Sequence, residues 1–149
     1  MTEGEKVVLL VEGNPSLAHT LLGALKEVCP GEVVLTHDRA GALDYLLGRS
    51  THTGRGNDVM PCVILLDLSL ADMDGSELLR ELRTHERTKL LPIVVFSSSE
   101  QKQDVNAIYT SGANSCIRLR AGGEPLVEVL RHVARYWCVL NEPPPPMVA

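Results

Sequence analysis

Short, continuous apolar runs recur along this 149-residue chain, and each is followed by a longer stretch whose apolar residues fall three or four apart. A strand that is apolar on both faces must be covered on both, and the intervening segments of helical period supply the cover. The alternation repeats about five times, which predicts an α/β fold: a doubly wound five-stranded parallel sheet with helices on both faces. With 44% hydrophobic and 22% charged residues, the chain is one ordinary domain large enough to bury a single core.

The first strand is expected at Val7 to Val11, closed by Glu12 and Gly13. Asn14 then caps a helix with Pro15 at its first position, its inward residues being Leu17, Leu21, Leu22, Leu25 and Val28. Pro30-Gly31 stops that helix. A second strand runs from Glu32 to Thr36, and a short helix from Ala40 to Leu47 turns Ala42, Leu43, Leu46 and Leu47 inward. Gly48 to Met60 is rich in Gly, Ser, Thr and Asn and reads as a polar surface loop. The third strand, Cys62 to Leu66, ends at Asp67; Gly75-Ser76 then opens a helix with Leu78, Leu79 and Leu82 on one side and Glu77, Arg80, Glu81 and Arg83 on the other. A fourth strand at Pro92 to Phe96, a helix from Gln101 to Ser111, a fifth strand from Ser115 to Leu119 and a final helix from Glu124 to Leu140 complete the pattern. The domain is expected over residues 1–141, with 142–149 a proline-rich tail that Pro143 to Pro146 stiffen.

In a doubly wound sheet the loops converge beyond the carboxyl ends of the strands, and ligands bind there. Strands one, three, four and five end in Glu12-Gly13, Asp67, Ser97-Ser98 and Leu119-Arg120, which should therefore share one small site. Asp67 places a carboxylate where a buried strand meets its loop, the chemistry of a phosphate-accepting or metal-binding group; the plainer reading is a carboxylate capping a turn. Asp74-Gly75 reads as turn chemistry whatever the function.

Other chemistries lack their residues. The net charge of -5 comes with no basic block, which argues against a dedicated nucleic-acid surface. The opening residues lack the basic segment and apolar core of a signal peptide, and no apolar run approaches the ~18 residues of a membrane span, so a cytoplasmic protein is expected. Cys29, Cys62, Cys116 and Cys138 lack Cys-x-x-Cys spacing and read as reduced packing residues. His19, His37, His52, His85 and His132 show no metal-ligand spacing and read as surface or packing residues, and no Ser/His/Asp or Cys/His pairing emerges. A flavin site would need a Gly- or Ser/Thr-rich phosphate loop after the first strand, which is absent.

Three segments carry a resemblance over nearly the whole chain: Leu9-Leu10-Val11-Glu12-Gly13-Asn14-Pro15, Ile64-Leu65-Leu66-Asp67 through Met73-Asp74-Gly75, and Gly112-Ala113-Asn114-Ser115. In order and spacing they resemble the receiver domain of bacterial two-component response regulators, with its flavodoxin-like fold. Tyr136-Trp137 and the long loop after the second helix look like the stand-alone regulators that accompany bacterial phytochrome kinases. The resemblance implies that Asp67 takes a phosphoryl group from a histidine of a sensor histidine kinase, phytochrome-like by the same likeness. It implies Mg²⁺ held by Asp67, a carboxylate at the end of the first strand, and the backbone carbonyl of Ser69. It implies no enzyme activity beyond self-phosphorylation and autodephosphorylation at Asp67. Ser97 matches the family's hydroxyl residue that bonds the phosphoryl group.

The chain departs from the family at three places. The first strand should end in two acids, and this one has Glu12 followed by Gly13, which removes the usual direct metal ligand. Glu12 through water, or Asp72 or Asp74, are the substitutes, and Mg²⁺ should bind weakly. The family's lysine, which bonds phosphoryl oxygens, falls on Leu119, and Arg120 is the residue that could reach back in its place. The switching aromatic of strand five falls on Cys116, too small to swing between buried and exposed positions.

The final helix is apolar beyond one face. Leu126, Val129, Leu130, Val133, Trp137 and Leu140 form the stripe expected against the sheet, while Val127, Ala134, Cys138 and Val139 widen it. A second buried surface is implied: either Pro143 to Pro146 fold over it, or it forms a homodimer through Val133, Tyr136, Trp137 and Leu140, as the resemblance suggests. Two functions follow. One is a single-domain response regulator phosphorylated on Asp67 through a degenerate site. The other is a pseudo-receiver, a dimerisation or kinase-docking module that works without phosphorylation.

Overall fold

The computed structural model describes residues 6–48, 60–68, 75–97, 105–118 and 125–145. Five strands, β1 (Val7–Val11), β2 (Glu32–Thr36), β3 (Val63–Asp67), β4 (Ile93–Phe96) and β5 (Ser115–Ile117), form one sheet in the order β2-β1-β3-β4-β5. Every neighbouring pair is parallel. Between and after them lie α1 (Pro15–Val28), α2 (Arg39–Leu47), α3 (Gly75–Thr84), α4 (Val105–Ser111) and α5 (Leu126–Arg135), the last running on into a π-helical turn at Tyr136–Leu140.

The continuous apolar runs are explained by what covers each face. Along the strands, Leu9, Val11, Ile64, Leu66, Ile93 and Val95 pack against Ala42, Leu43 and Leu46 of α2, Leu78, Leu79 and Leu82 of α3, and Ile108 of α4. Their immediate neighbours Val8, Leu10, Val63, Leu65, Val94 and Phe96 point the other way, onto Leu21 and Leu25 of α1 and Leu130 and Ala134 of α5. The sheet therefore has two cores, one per face, and no strand face is left for water among these positions.

Local signals set the helix ends. Asn14 Oδ1 accepts from the Leu17 amide at 3.0 Å and Pro15 occupies the first turn, as the sequence suggests. Asp38 Oδ1 accepts from the Gly41 amide at 2.8 Å, so α2 begins at Arg39, one residue earlier than expected. Gly48 ends it in the left-handed region, φ 70°. Cys62 and Pro92 precede β3 and β4 rather than opening them. Most of the loop between Gly48 and Met60, and residues 101–104 of the expected fourth helix, lie outside the described residues.

Four side chains differ from the expected pattern. Tyr45 is buried within α2, while Leu47 is only half covered. Arg83, placed by periodicity on the polar side of α3, instead bonds the carbonyls of Gly112, Leu91 and Lys89 at 2.8, 2.8 and 2.9 Å and Asn114 Oδ1 at 2.7 Å. It holds the α4–β5 turn to the entry of β4. Gly112 has φ 120°, and a Cβ there would stand 2.6 Å from Arg83 Cγ, so this turn needs glycine for conformation and for space. In the last helix the fully buried line is Leu130, Ala134 and Cys138, and Leu140 is 69% exposed instead of lying on the sheet. The π-turn, closed by the Asn141 amide on the Tyr136 carbonyl at 2.7 Å, inserts an extra residue and rotates Leu140 outward.

Candidate functional site

Among the described residues six polar or charged ones are buried, and four of them, Glu12, Thr36, Asp67 and Ser97, stand at the carboxyl ends of β1, β2, β3 and β4. Burying polar groups costs free energy unless they are paired, so their gathering at one end of an otherwise apolar sheet marks a site. The register explains their meeting. Val11 lies opposite Leu66, which brings Glu12 opposite Asp67 one step on, and the two-residue period turns both carboxyls to the face of Leu10 and Leu65. Asp67 pairs with Phe96 across β3 and β4, and the Leu68 amide continues that ladder to the Phe96 carbonyl at 2.9 Å, which delivers Ser97 to the same end.

Glu12 is held by its backbone and by one oxygen. Its amide donates to the Thr36 carbonyl at 3.0 Å, its carbonyl stands 3.2 Å from His37 Nδ1, and its Oε2 accepts from the Asn14 amide at 3.1 Å. Oε1 is buried without a donor among the described residues. Desolvation, followed by its hydrogen bond to the Asp67 carboxyl and then by the Asp67 charge, pushes Glu12 from 4.5 up to about 8. Two ionised carboxylates are both acceptors, so the bond between them needs one shared proton, and the raised pKa of Glu12 keeps that proton in the pair. Such a proton can be displaced by a hard cation, which prefers a cluster of carboxylate oxygens. Once that proton is displaced, Glu12 Oε1, which no donor of the described residues satisfies, faces Asp67 as a ligand for a cation of that kind. The set is incomplete, since among the described residues no group of three or more His, Cys, Asp or Glu is placed to hold a metal. Gly13, exposed beside Glu12, is where a further carboxylate would stand.

Residues 8–131 match the response regulator receiver domain. The chain belongs to that family. Relatives cover nearly the whole receiver. The probable methanogenesis regulatory protein FilR2 of Methanothrix harundinacea is 31% identical over 141 residues, 94% of this chain and 88% of its own. Response regulator Rcp1 of Synechocystis sp. is 28% identical over 133 residues, 89% of this chain and 88% of its own. The crystal structure of the Mn²⁺-bound form of Rcp1 superposes with a TM-score of 0.80 at 27% identity, covering 94% of this chain and 99% of that one. The phosphorylated cyanobacterial phytochrome response regulator RcpA superposes at 0.76 with 28% identity, covering 95% and 99%. The receiver is thus similar to phytochrome response regulators, and a receiver is a signalling module rather than an enzyme.

The structure brings Glu12, Asp67 and Ser97 of this receiver together as the sequence suggests, whereas Ser69, Asp72, Asp74, Leu119 and Arg120 lie outside the described residues. Cys116 lies opposite Val95 in β5, half-buried against the core between the sheet and α2, α3 and α4. Burial, opposed by the charge of Arg118, raises its thiol pKa. Two residues at the site escaped the sequence reading: Thr36, buried at the end of β2, and His37, whose ring nitrogen reaches the Glu12 carbonyl. Both follow a strand end, and the convergence rule applied to β2 as well as to the other strands would have found them.

Cys29, Cys62, Cys116 and Cys138 are all free. No described helix is long and apolar enough to cross a membrane. At the far end of α5, Val133 and Trp137 pack partly against the core of the α1 and α5 face, while Tyr136 is 48% exposed and lies edge-on to Trp137 with centroids 5.1 Å apart. Together with Val139 and Leu140, Tyr136 forms an outward apolar patch that Pro143 to Pro145 leave uncovered.

Proposed function

We propose that this chain is a single-domain, cytoplasmic response regulator that accepts a phosphoryl group on Asp67 from a sensor histidine kinase, through a degenerate site. The observation that carries the reading is the buried Glu12 and Asp67 pair at the adjoining ends of β1 and β3. In the transfer, an Asp67 oxygen attacks phosphorus, the bond from phosphorus to the kinase imidazole breaks with its electron pair going to nitrogen, and an aspartyl phosphate results. Glu12, Asp67 and the Ser69 carbonyl would hold Mg²⁺, which supplies neutralisation of the charge on the transferring oxygens. Ser97, buried at the end of β4, donates to a phosphoryl oxygen, and Arg120 offers the charge that Leu119 cannot. With Gly13 in place of an acid, Mg²⁺ binds weakly. The likeness to the Mn²⁺-bound Rcp1 and to the phosphorylated phytochrome regulator RcpA supports both the metal and a phytochrome-like kinase as partner.

Incubation with acetyl phosphate or a phosphorylated kinase at millimolar Mg²⁺ is expected to add one phosphoryl mass that Asp67→Asn abolishes. Absence of any Asp67-dependent adduct sinks the reading in favour of the pseudo-receiver, which keeps the fold and the docking surfaces without phosphotransfer. One observation favours that second reading: Glu12, held protonated to about pH 8, leaves the pair one charge short for a cation at neutral pH. In either case the patch of Tyr136 and Leu140, with Val133 and Trp137 beneath it, is the homodimer interface, because an apolar surface at the end of a helix gains by burial against a second copy.

A further inference from the structure

Three cysteines far apart in sequence meet at the end of the sheet opposite Asp67. Cys138 Sγ lies 3.5 Å from Cys62 Sγ, 76 residues away, and 3.9 Å from Cys29 Sγ, 109 residues away. Cys62 immediately precedes β3, so the cluster is separated from Asp67 by the length of that strand, roughly 16 Å. Access differs among the three: Cys62 and Cys138 are buried, and Cys29, in extended backbone just past α1, is half-exposed. We propose that these residues form a peroxide-responsive thiol relay, in which Cys29 is the oxidised thiol and Cys138 the partner that closes a reversible disulfide.

The chemistry balances with a hydroperoxide as oxidant. The Cys29 thiolate attacks a peroxide oxygen, the O–O bond breaks, and the sulfur becomes a sulfenic acid as hydroxide leaves. Cys138 sulfur then attacks the Cys29 sulfur, the S–O bond breaks, and the departing hydroxide takes the thiol proton as water. Cys62, 3.5 Å from Cys138, can attack the new bond at the Cys138 sulfur and release the Cys29 sulfur, which takes up the Cys62 thiol proton, so that the disulfide moves to the buried pair. The hydrogen bond from Cys138 favours the Cys29 thiolate and holds it below the usual thiol range, while Cys138 itself, as donor, is pushed up. Bond formation needs the sulfurs to close from 3.9 Å to about 2.05 Å. Cys29 caps the end of α1 with its amide on the Leu25 carbonyl at 3.0 Å, so the closure is assigned to its side chain and to Cys138, which belongs to the π-turn that carries Tyr136, Val139 and Leu140. Oxidation would therefore shift the outward apolar patch, independently of Asp67.

The reduced, intact chain is exposed briefly to hydrogen peroxide in native buffer, quenched by alkylation, and mapped by peptide mass. The expected result is loss of two hydrogens, Cys138 linked to Cys29 or Cys62, Cys116 alkylated throughout, and full reversal by a dithiol. Cys29→Ser should slow the formation of any linkage by about tenfold or more, because the remaining pair is buried. Cys138→Ala should leave Cys29 to advance to sulfinic acid. Oxidation of wild type to sulfinic acid without a link, linkage only after denaturation, or oxidation of Cys29→Ser at the wild-type rate overturns the proposal. Should Cys138→Ala fail to fold, Cys29→Ser, at a half-exposed position, decides it.

Discussion

Replacing Glu12 by Gln keeps the shape of the side chain and removes its titration, and the effect can be worked from the pair it forms with Asp67. Glu12 retains its proton in the folded protein to about pH 8 and in the unfolded chain to about 4.5. Below the lower value both states are protonated and nothing is gained or lost. Between the two, the folded state binds more protons than the unfolded, so stability falls as pH rises, by ~1.36 kcal/mol for each pH unit. Above pH 8 the loss is complete and constant. Over the roughly 2.5 pH units up to pH 7, the ceiling on this loss is roughly 3 kcal/mol, a large share of the ~5–15 kcal/mol that holds a typical domain folded. Glu12→Gln escapes it, and its amide can donate to Asp67 at every pH. Urea unfolding from pH 5 to 9 with a chelator present should give two curves that diverge as pH rises and run parallel above pH 8, every other titration cancelling in the difference. The same proton must leave before a cation binds, so wild-type Mg²⁺ affinity should rise by up to about tenfold per pH unit below 8 and level off above it. Parallel stability curves across the whole range, or Mg²⁺ affinity equal at pH 6.5 and 8.5, would refute the account of a shared proton.

Gly13→Asp restores an acid beside Glu12 and should raise Mg²⁺ affinity by more than ~10-fold; adding Leu119→Lys should then speed phosphorylation by acetyl phosphate, and no gain in either assay contradicts the assignment of these departures. Arg83→Met keeps most of the apolar stem but abandons three carbonyls and Asn114, for an expected loss of about 2–4 kcal/mol by denaturant unfolding, against near neutrality if the guanidinium is merely a surface charge. Leu140→Asp, at a position 69% exposed, should leave monomer stability unchanged while converting a dimer to a monomer by light scattering; an unaltered mass places the interface elsewhere.

The fold was legible because the sheet is parallel and covered on both faces, which writes each strand as an unbroken apolar run. Val7 to Val11 and Glu32 to Thr36 fall where the pattern puts them, and Asn14-Pro15 marks its helix start with a cap and a first-turn proline that both act locally. Periodicity failed where a residue's role is set by something distant. Arg83 reads as a solvent charge because its partners, Leu91 and Gly112, belong to other elements, and Leu140 reads as core because nothing local announces the extra residue of a π-turn.

The site divides along the same line. Asp67, Glu12 and Ser97 were found from strand ends alone, since the parallel register turns three separate chain positions into neighbours. The energetic state of the pair was not legible: a carboxylate beside a carboxylate in water is unremarkable, and only joint burial makes one of them keep its proton. Loss of an acid at Gly13 and the retention of Glu12 are then linked. A third carboxylate beside these two, even at the exposed position of Gly13, would add like charge that a bound cation offsets, so Gly13 lightens that electrostatic load in the metal-free chain while surrendering a ligand. Gly13→Asp should accordingly lower metal-free stability at pH 8 relative to wild type and recover it on addition of Mg²⁺, and a variant as stable without the ion as wild type would break that link.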